Sequence, residues 1–544
     1  MRLINVETLQ FEEFFGSDVP EYVILSHTWD DGEVMFRDWG TPDGATREGI
    51  SKILKTCELA REEYKVPYAW ADTCCIDKSS SAELSEAINS MFAWYRGAAF
   101  CLAYLSDLEA LPLSGSVLAE SRWFTRGWTL QELIAPVHVH FYDSRWNMIG
   151  TKISLARDIE AITRIPQRVL CGREDYLTVC IGGRMSWASS RQTTRVEDTA
   201  YCLLGLFRVN MPLLYGEGNR AFIRLQEEII KTSTDLTIFA WSETQKEVSS
   251  VWATSPRQFQ ACPGISLRPG ERVNRSELQF TVTNRGLRFD GVALTLMCMC
   301  PSPSHDAQGL QCDKPNYVLD LGAIDNQSSN HITYPGVKLD KVDHMLFLRA
   351  GQLPLDPGSH SSGYYKRTVR NTFYISTNDH SRGGPIPRSF AYRMDDLVGS
   401  AFVIRQVVPE NYWDYSRQCF YCSPDPESWG AMLVAAKSRG DSVSDTSTQE
   451  KWCYVKLVSL GLLGVAIMRC EDWQSLPLSL FYDSSYASMS YFQISGLLSG
   501  SGRRWTNYWT WQRRRLISGR RDSNDVELGP DTSAATTAKE DSLV

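Results

Sequence analysis

Between residues 22 and 142, short apolar runs alternate with stretches of helical period, and this alternation restricts the fold more than any other feature of the chain. Tyr22-Val23-Ile24-Leu25-Ser26 is the first run and stops at His27-Thr28-Trp29-Asp30, which predicts a strand feeding a loop. Over residues 46–64, Ile50, Ile53, Leu54, Cys57 and Ala60 recur at helical spacing. They leave Lys52, Lys55, Glu58 and Glu62 to face water, as expected of a helix covering a sheet. Residues 67–75 read as a second strand, and Asp77-Lys78-Ser79-Ser80 as the turn after it. Ser80 and Glu83 have capping-box spacing, and Leu84, Ile88, Met91, Phe92 and Tyr95 mark one face of the helix that follows. Residues 101–105 predict a third strand. A helix from Trp128 to Ile134 stops before Pro136, and residues 137–142 alternate as a last strand that closes the sheet. This order predicts an α/β domain over residues 1–150, a mostly parallel sheet with flanking helices.

Residues 151–235 carry further helical patterns, best at 199–207 and 218–231, and are expected to pack as an extension on that domain. From about residue 236 the period changes to short strands separated by Gly, Pro and Asn. Residues 237–241, 278–282, 287–289, 317–321 and 401–408 are examples, so residues 236–510 predict a β-rich second domain. Residues 438–449 form a polar loop. Residues 511–544 form a tail, basic at first and then, beyond about residue 522, polar without apolar periodicity and expected to be disordered.

With 544 residues, 43% of them hydrophobic, the chain can fill more than one core. A net charge of -8 gives no overall basic face for nucleic acid, and none is expected as a partner. The longest apolar run, residues 457–468, falls short of the ~20 residues that span a bilayer, so no transmembrane segment is expected. No basic segment with an apolar run opens the sequence, and its fifteen cysteines are scattered. Cytoplasmic residence with mostly free, buried thiols follows as the expectation.

Residues 22–29, 70–77, 87–95 and 123–133 resemble, in order and spacing, the successive motifs of the fungal heterokaryon-incompatibility (HET) domain. Residues 194–201 and 211–218 resemble the segment that follows that domain. The resemblance covers roughly residues 1–240 and implies a vegetative-incompatibility protein that promotes programmed cell death, with an unknown protein partner in allorecognition and self-association into a homo-oligomer. HET domains are similar in turn to Toll/interleukin-receptor (TIR) domains, which implies a TIR/flavodoxin-like sheet. In that comparison Trp128-Thr129-Leu130-Gln131-Glu132-Leu133 falls where TIR proteins carry a Trp-Cys-x-x-Glu-Leu helix, whose Glu is catalytic in those that cleave NAD. Glu132 is then the catalytic candidate, although Thr129 stands where the motif often has Cys.

The chemistry that the resemblance implies is NAD cleavage, with NAD as substrate and no resident cofactor or metal. A carboxylate beside the ribose stabilises an oxocarbenium-like state. Trp29 or Trp128 offers a ring to stack on, and Ser26, His27 and Asp72 fall near predicted strand C-termini, where open α/β sheets bind ligands. The alternative is a non-enzymatic self-association module in which the same residues hold the fold. Three weaker patterns stand beside these. Cys74-Cys75 suggests a thiol nucleophile with His27 as base, but buried Cys is the commoner outcome. Cys419 and Cys422 have the spacing of half a zinc site, and the Cys298/Cys300 spacing does not complete it. The Arg- and Trp-rich stretch 503–521 fits an anionic membrane surface, a stack on single-stranded nucleic acid, or a solvated strand leading into the tail. No phosphate-binding Gly-rich loop with Lys-Ser/Thr is present.

Overall fold

The computed structural model describes residues 1–355, except 17, 110–117, 243–249, 270–277, 298–315 and 326–332. Beyond them it describes 366–370, 372–377, 391–393, 402–408, 412–417, 419–421, 429–436, 453–459, 465–470 and 507–509. The loop 438–449 and the tail 511–544 lie outside the described residues.

Seven strands form the N-terminal sheet: β1 (Arg2–Asn5), β2 (Phe11–Glu13), β3 (Tyr22–His27), β4 (Tyr68–Trp70), β5 (Phe100–Tyr104), β6 (Val139–Tyr142) and β7 (Met148–Thr151). Their order is β2-β1-β4-β3-β5-β6-β7. β4, β3, β5 and β6 run parallel, whereas β1, β2 and β7 join antiparallel at the edges. The parallel core therefore runs second, first, third, fourth, the winding of flavodoxin-like sheets, and its strand order reverses between β3 and β5. All six residues of β3 are buried, as a central strand covered on both faces requires.

Among the described residues, four α-helices accompany this sheet: α1 (Pro42–Ala45), α2 (Ile50–Leu59), α3 (Ser81–Gly97) and α4 (Thr129–Ile134). The start of α3 shows how local chemistry sets the packing. The Ser80 hydroxyl accepts from the Glu83 amide at 3.3 Å, but the Glu83 carboxylate does not complete the box. It accepts instead from the Asp77 amide at 2.8 Å and from the Arg2 guanidinium at 2.9 Å, so the cap also ties β1 to the helix. One face of α3 then points inward through Ala87, Ile88, Met91, Phe92 and Tyr95.

Six more helices, α5 (Ala156–Thr163), α6 (Gln167–Leu170), α7 (Ile181–Ser186), α8 (Asp198–Tyr201), α9 (Leu204–Phe207) and α10 (Arg220–Ile230), follow. Their apolar side chains join those of the sheet in one continuous core. Gly205 in α9 lies against Phe92 of α3, where a Cβ would come within 2.1 Å of the Phe92 Cβ. The β-rich region contributes β8 (Ile265–Leu267), β9 (Gln279–Thr283), β10 (Gly286–Asp290), β11 (Ala293–Met297), β12 (Asn316–Asp320), β13 (Ala323–Asp325), β14 (Tyr334–Lys341), β15 (Leu346–Leu355), β16 (Lys366–Arg370) and β17 (Phe373–Ile375). Eight of these form a sheet in the order β16-β11-β12-β14-β15-β17-β10-β9, while β8 pairs with β13.

Several expectations are corrected. Lys52 does not face water: it is buried in an ion pair with Glu33, and Leu54 takes the exposed position. The second strand ends at Trp70, and Cys74 and Cys75 lie in the turn that follows, both buried. The strand at 137–142 does not close the sheet, because β7 adds an antiparallel edge beyond it. Residues 199–207 split into α8 and α9. Residues 236–239 form a 3-10 turn in place of a strand, for a visible reason. Asp235 caps it by accepting from the Thr237 amide at 2.9 Å, and Arg349 of β15 takes up the Phe239 carbonyl at 3.0 Å and the Trp241 carbonyl. With these donors and the Ala240 amide on the Thr237 carbonyl at 2.9 Å, the segment's backbone groups are satisfied without a ladder partner. The apolar run 457–468 is shared between two paired strands, Cys453–Ser459 and Val465–Cys470. No helix of the described residues is long and apolar enough to cross a membrane.

Candidate functional site

β3 delivers Ser26 and His27 to the carboxyl end of the parallel core, next to the point where strand order reverses. α4 packs against β3 there and presents Glu132. The Ser26 hydroxyl donates to Glu132 Oε2, and the Trp123 indole N–H donates to Ser26 Oγ at 2.8 Å. Trp123 and Ser26 are fully buried, and Glu132 is 8% exposed. Tyr95 of α3 donates to the Leu25 carbonyl at 3.2 Å. Burial pushes the Glu132 carboxyl up to about 8, and the negative charge of Asp72 adds to the rise; Ser26, Tyr95 and the charge of Arg191 oppose it. At neutral pH this carboxyl is mostly protonated.

The helix that carries Glu132 is held at both ends. Thr129, at the position where the TIR motif often has Cys, donates to the Arg126 carbonyl at 2.9 Å and accepts from Arg191 at 2.8 Å. Lys152, buried and with its pKa lowered by burial to about 8, donates to the Leu133 carbonyl at 3.3 Å and to the Pro136 carbonyl. A cation on the last carbonyls of a helix satisfies orphan acceptors and opposes the negative dipole end.

Asp72 follows β4 and lies at the rim. Its carboxylate accepts from the Trp29 indole N–H, with Oδ2 at 3.1 Å, and sits 3.6 Å from Lys78 Nζ. Lys78 Nζ in turn lies 3.6 Å from the Trp29 ring centroid. The structure thus brings Ser26, Glu132, Asp72 and Trp29 into one neighbourhood. His27 points elsewhere: its Nε2 is 3.7 Å from Glu33 Oε2, and neither ring nitrogen has a hydrogen-bond partner. Burial opposes ionisation of Glu33, but His27, Lys52 and the Asp30 amide overcome it and hold that carboxyl down at about 2. Trp128 is half-buried against the core.

Sequence reasoning missed Trp123, Tyr95, Lys78 and Lys152. Trp123 stands within a recognised motif and could have been taken for a donor; Lys152 carried no signal. Cys74 and Cys101 are buried, and burial raises both thiols well above their ordinary range, which removes the nucleophilic thiolate. Among the described residues no group of His, Cys, Asp and Glu could hold a metal ion. Cys419 is buried, and Cys298, Cys300 and Cys422 lie outside the described residues.

Residues 22–111 match the family described as heterokaryon incompatibility protein (HET), and residues 220–279 match a domain of unknown function (DUF8212). Vegetative incompatibility protein HET-E-1 of Podospora anserina is 40% identical over a 265-residue alignment that covers 44% of this chain and 19% of that protein. The chain thus covers about a fifth of that relative's length. No solved structure matches. Over residues 22–111 this chain is thus similar to the heterokaryon incompatibility (HET) family.

Proposed function

We propose that this chain is a vegetative-incompatibility signalling protein that promotes cell death, and that its Ser26–Glu132 centre cleaves NAD between nicotinamide and ribose. The observation that carries the reading is the Ser26 hydroxyl seated on the Glu132 carboxyl at the carboxyl ends of parallel strands. Those two groups, with Asp72 at the rim, come from three separate motifs of the resemblance to HET domains. In the reaction the C–N bond breaks with its electron pair leaving on nicotinamide, water adds to the ribose C1′, and a proton is released with ADP-ribose. The carboxylate form of Glu132 stabilises the cationic ribose between these events, and Ser26 fixes the orientation of the carboxyl. Access to Glu132 requires α4 or the Trp29 loop to move. Self-association supplies that movement, with a second copy of the chain or an allorecognition partner as trigger.

The test is incubation of the purified chain with NAD at low and high protein concentration, read as free nicotinamide. Release that rises more steeply than protein concentration supports the proposal. A second reading, a non-enzymatic module that signals by self-association, is favoured by the burial of Glu132. Absence of nicotinamide release at every concentration, with cell death intact on overexpression of Glu132→Gln, selects it.

A further inference from the structure

Trp29 keeps 42% of its surface exposed, while the largest fully buried side chains include six other tryptophans. Its indole does not hang loose. The ring N–H is spent on the Asp72 carboxylate, and the Lys78 ammonium lies over the ring, 3.6 Å from its centroid. Lys78 Nζ also sits 3.6 Å from Asp72 Oδ2, so the three side chains form a closed triangle across two loops. The ammonium makes no hydrogen bond and is largely withdrawn from water. A desolvated cation over an aromatic face is the strong form of the cation–π contact. It covers one face of the ring, fixes its plane, and leaves surface for a ligand at the rim of the strand ends.

That arrangement selects among flat ligands. The ammonium draws π-electron density toward itself, so the opposite face of the indole is poorer in electrons than a free indole. A neutral, electron-rich purine stacks well on such a face. A pyridinium ring carries its own positive charge and would be repelled by Lys78 through the indole. We propose that Trp29, braced by Lys78 and Asp72, is the stacking platform for a purine base, the adenine of a purine nucleotide or of the adenosine half of a dinucleotide. Nicotinamide is excluded from this position. The inference rests on the NAD reading only in making the ligand a dinucleotide, and leaves the nicotinamide end to the Ser26–Glu132 side.

The experiment is calorimetric titration of the full chain with adenosine monophosphate and, separately, with nicotinamide mononucleotide. Adenosine monophosphate is expected to bind the more tightly. Trp29→Ala should weaken it by roughly tenfold or more, the scale of one base–aromatic stack, and Trp29→Phe should recover part of the loss. Lys78→Met, which keeps the length and drops the charge, should narrow the preference for the purine. Melting temperatures of all variants confirm that they fold; Trp29 is exposed, so Trp29→Ala should melt close to the wild type. The proposal is overturned if adenosine monophosphate does not bind, if it binds as well to Trp29→Ala, or if the nicotinamide mononucleotide binds at least as tightly. Purine binding through Trp29 without nicotinamide release upholds the platform and sinks NAD cleavage. Nicotinamide release without purine binding does the reverse.

Discussion

Ser26 on β3 and Glu132 on α4 are 106 residues apart in sequence and share one buried hydrogen bond, in which the serine hydroxyl donates to the carboxyl. The contact joins the first strand of the parallel core to the helix that precedes its last. Its chemistry depends on the protonation of Glu132, and that dependence can be measured.

Glu132 has a folded pKa of about 8 against an ordinary value of 4.5. The unfolded chain therefore releases this proton first, and the folded state holds it over the intervening range. Stability is unaffected below about pH 4.5, falls as pH rises toward 8, and levels off above that. Each tenfold difference in proton affinity between the two states is worth ~1.4 kcal/mol, so the loss is on the order of a few kcal/mol. Glu132→Gln cannot ionise, so its stability should lack this slope. Thermal melts of both proteins at pH 5 and pH 8.5 check it; parallel changes in the two would refute it.

Activity should move with the same proton. If the carboxylate stabilises the cationic ribose, nicotinamide release should rise with pH up to about 8 and then flatten. Glu132→Gln should lose roughly two orders of magnitude or more while remaining folded at neutral pH. A pH-independent rate in the wild type would place the charge elsewhere.

The buried Glu33–Lys52 pair makes a separate claim on stability. Lys52→Met leaves a carboxylate buried with only His27 and a backbone amide for company. The cost should be roughly 3–5 kcal/mol, because an unpaired buried charge is worse than none. Adding Glu33→Leu should restore much of it. Because the Glu33 pKa is depressed to about 2, the pair's contribution is present above about pH 4.5 and is lost as pH falls toward 2. Urea titrations of the single and double variants at pH 7 give the comparison.

The parts of this architecture that repeat along the chain were legible in the sequence. Tyr22 to Ser26, the amphipathic helix with its Ser80 cap and the short helix before Pro136 all announce themselves by period and punctuation. The centre was legible only in outline. Ser26, Asp72 and Glu132 could be named from motif positions, but no periodicity says that Trp123 would reach the Ser26 oxygen or that Lys152 would cap α4. Those contacts depend on how α4 docks, and docking is decided by core shape. Lys52 was misread because its helical position is polar by pattern, and only the fold reveals that Glu33 waits beneath it. The edges β1, β2 and β7 were missed because strands of three or four residues carry too little alternation to count.

The last prediction isolates Ser26. Its hydroxyl is one of the hydrogen bonds that favour the charged form of Glu132, so Ser26→Ala should raise the carboxyl further above about 8. The sign is the same as for the wild type, but the window is wider: stability should keep falling with pH beyond the point where the wild-type curve has levelled. Activity, if it needs the carboxylate, should shift its rise to higher pH and fall at pH 7, with partial recovery at pH 9. The substitution also strands the Trp123 N–H, which loses its acceptor in a fully buried position. That costs about 1–3 kcal/mol at every pH. A Trp123→Phe, Ser26→Ala double variant separates the two effects. Removing the indole donor should recover part of the pH-independent loss and leave the displaced titration in place. Melts across pH 5–9, with nicotinamide release over the same range, decide it. A Ser26→Ala protein whose stability curve levels at the wild-type pH would show that the serine does not tune Glu132.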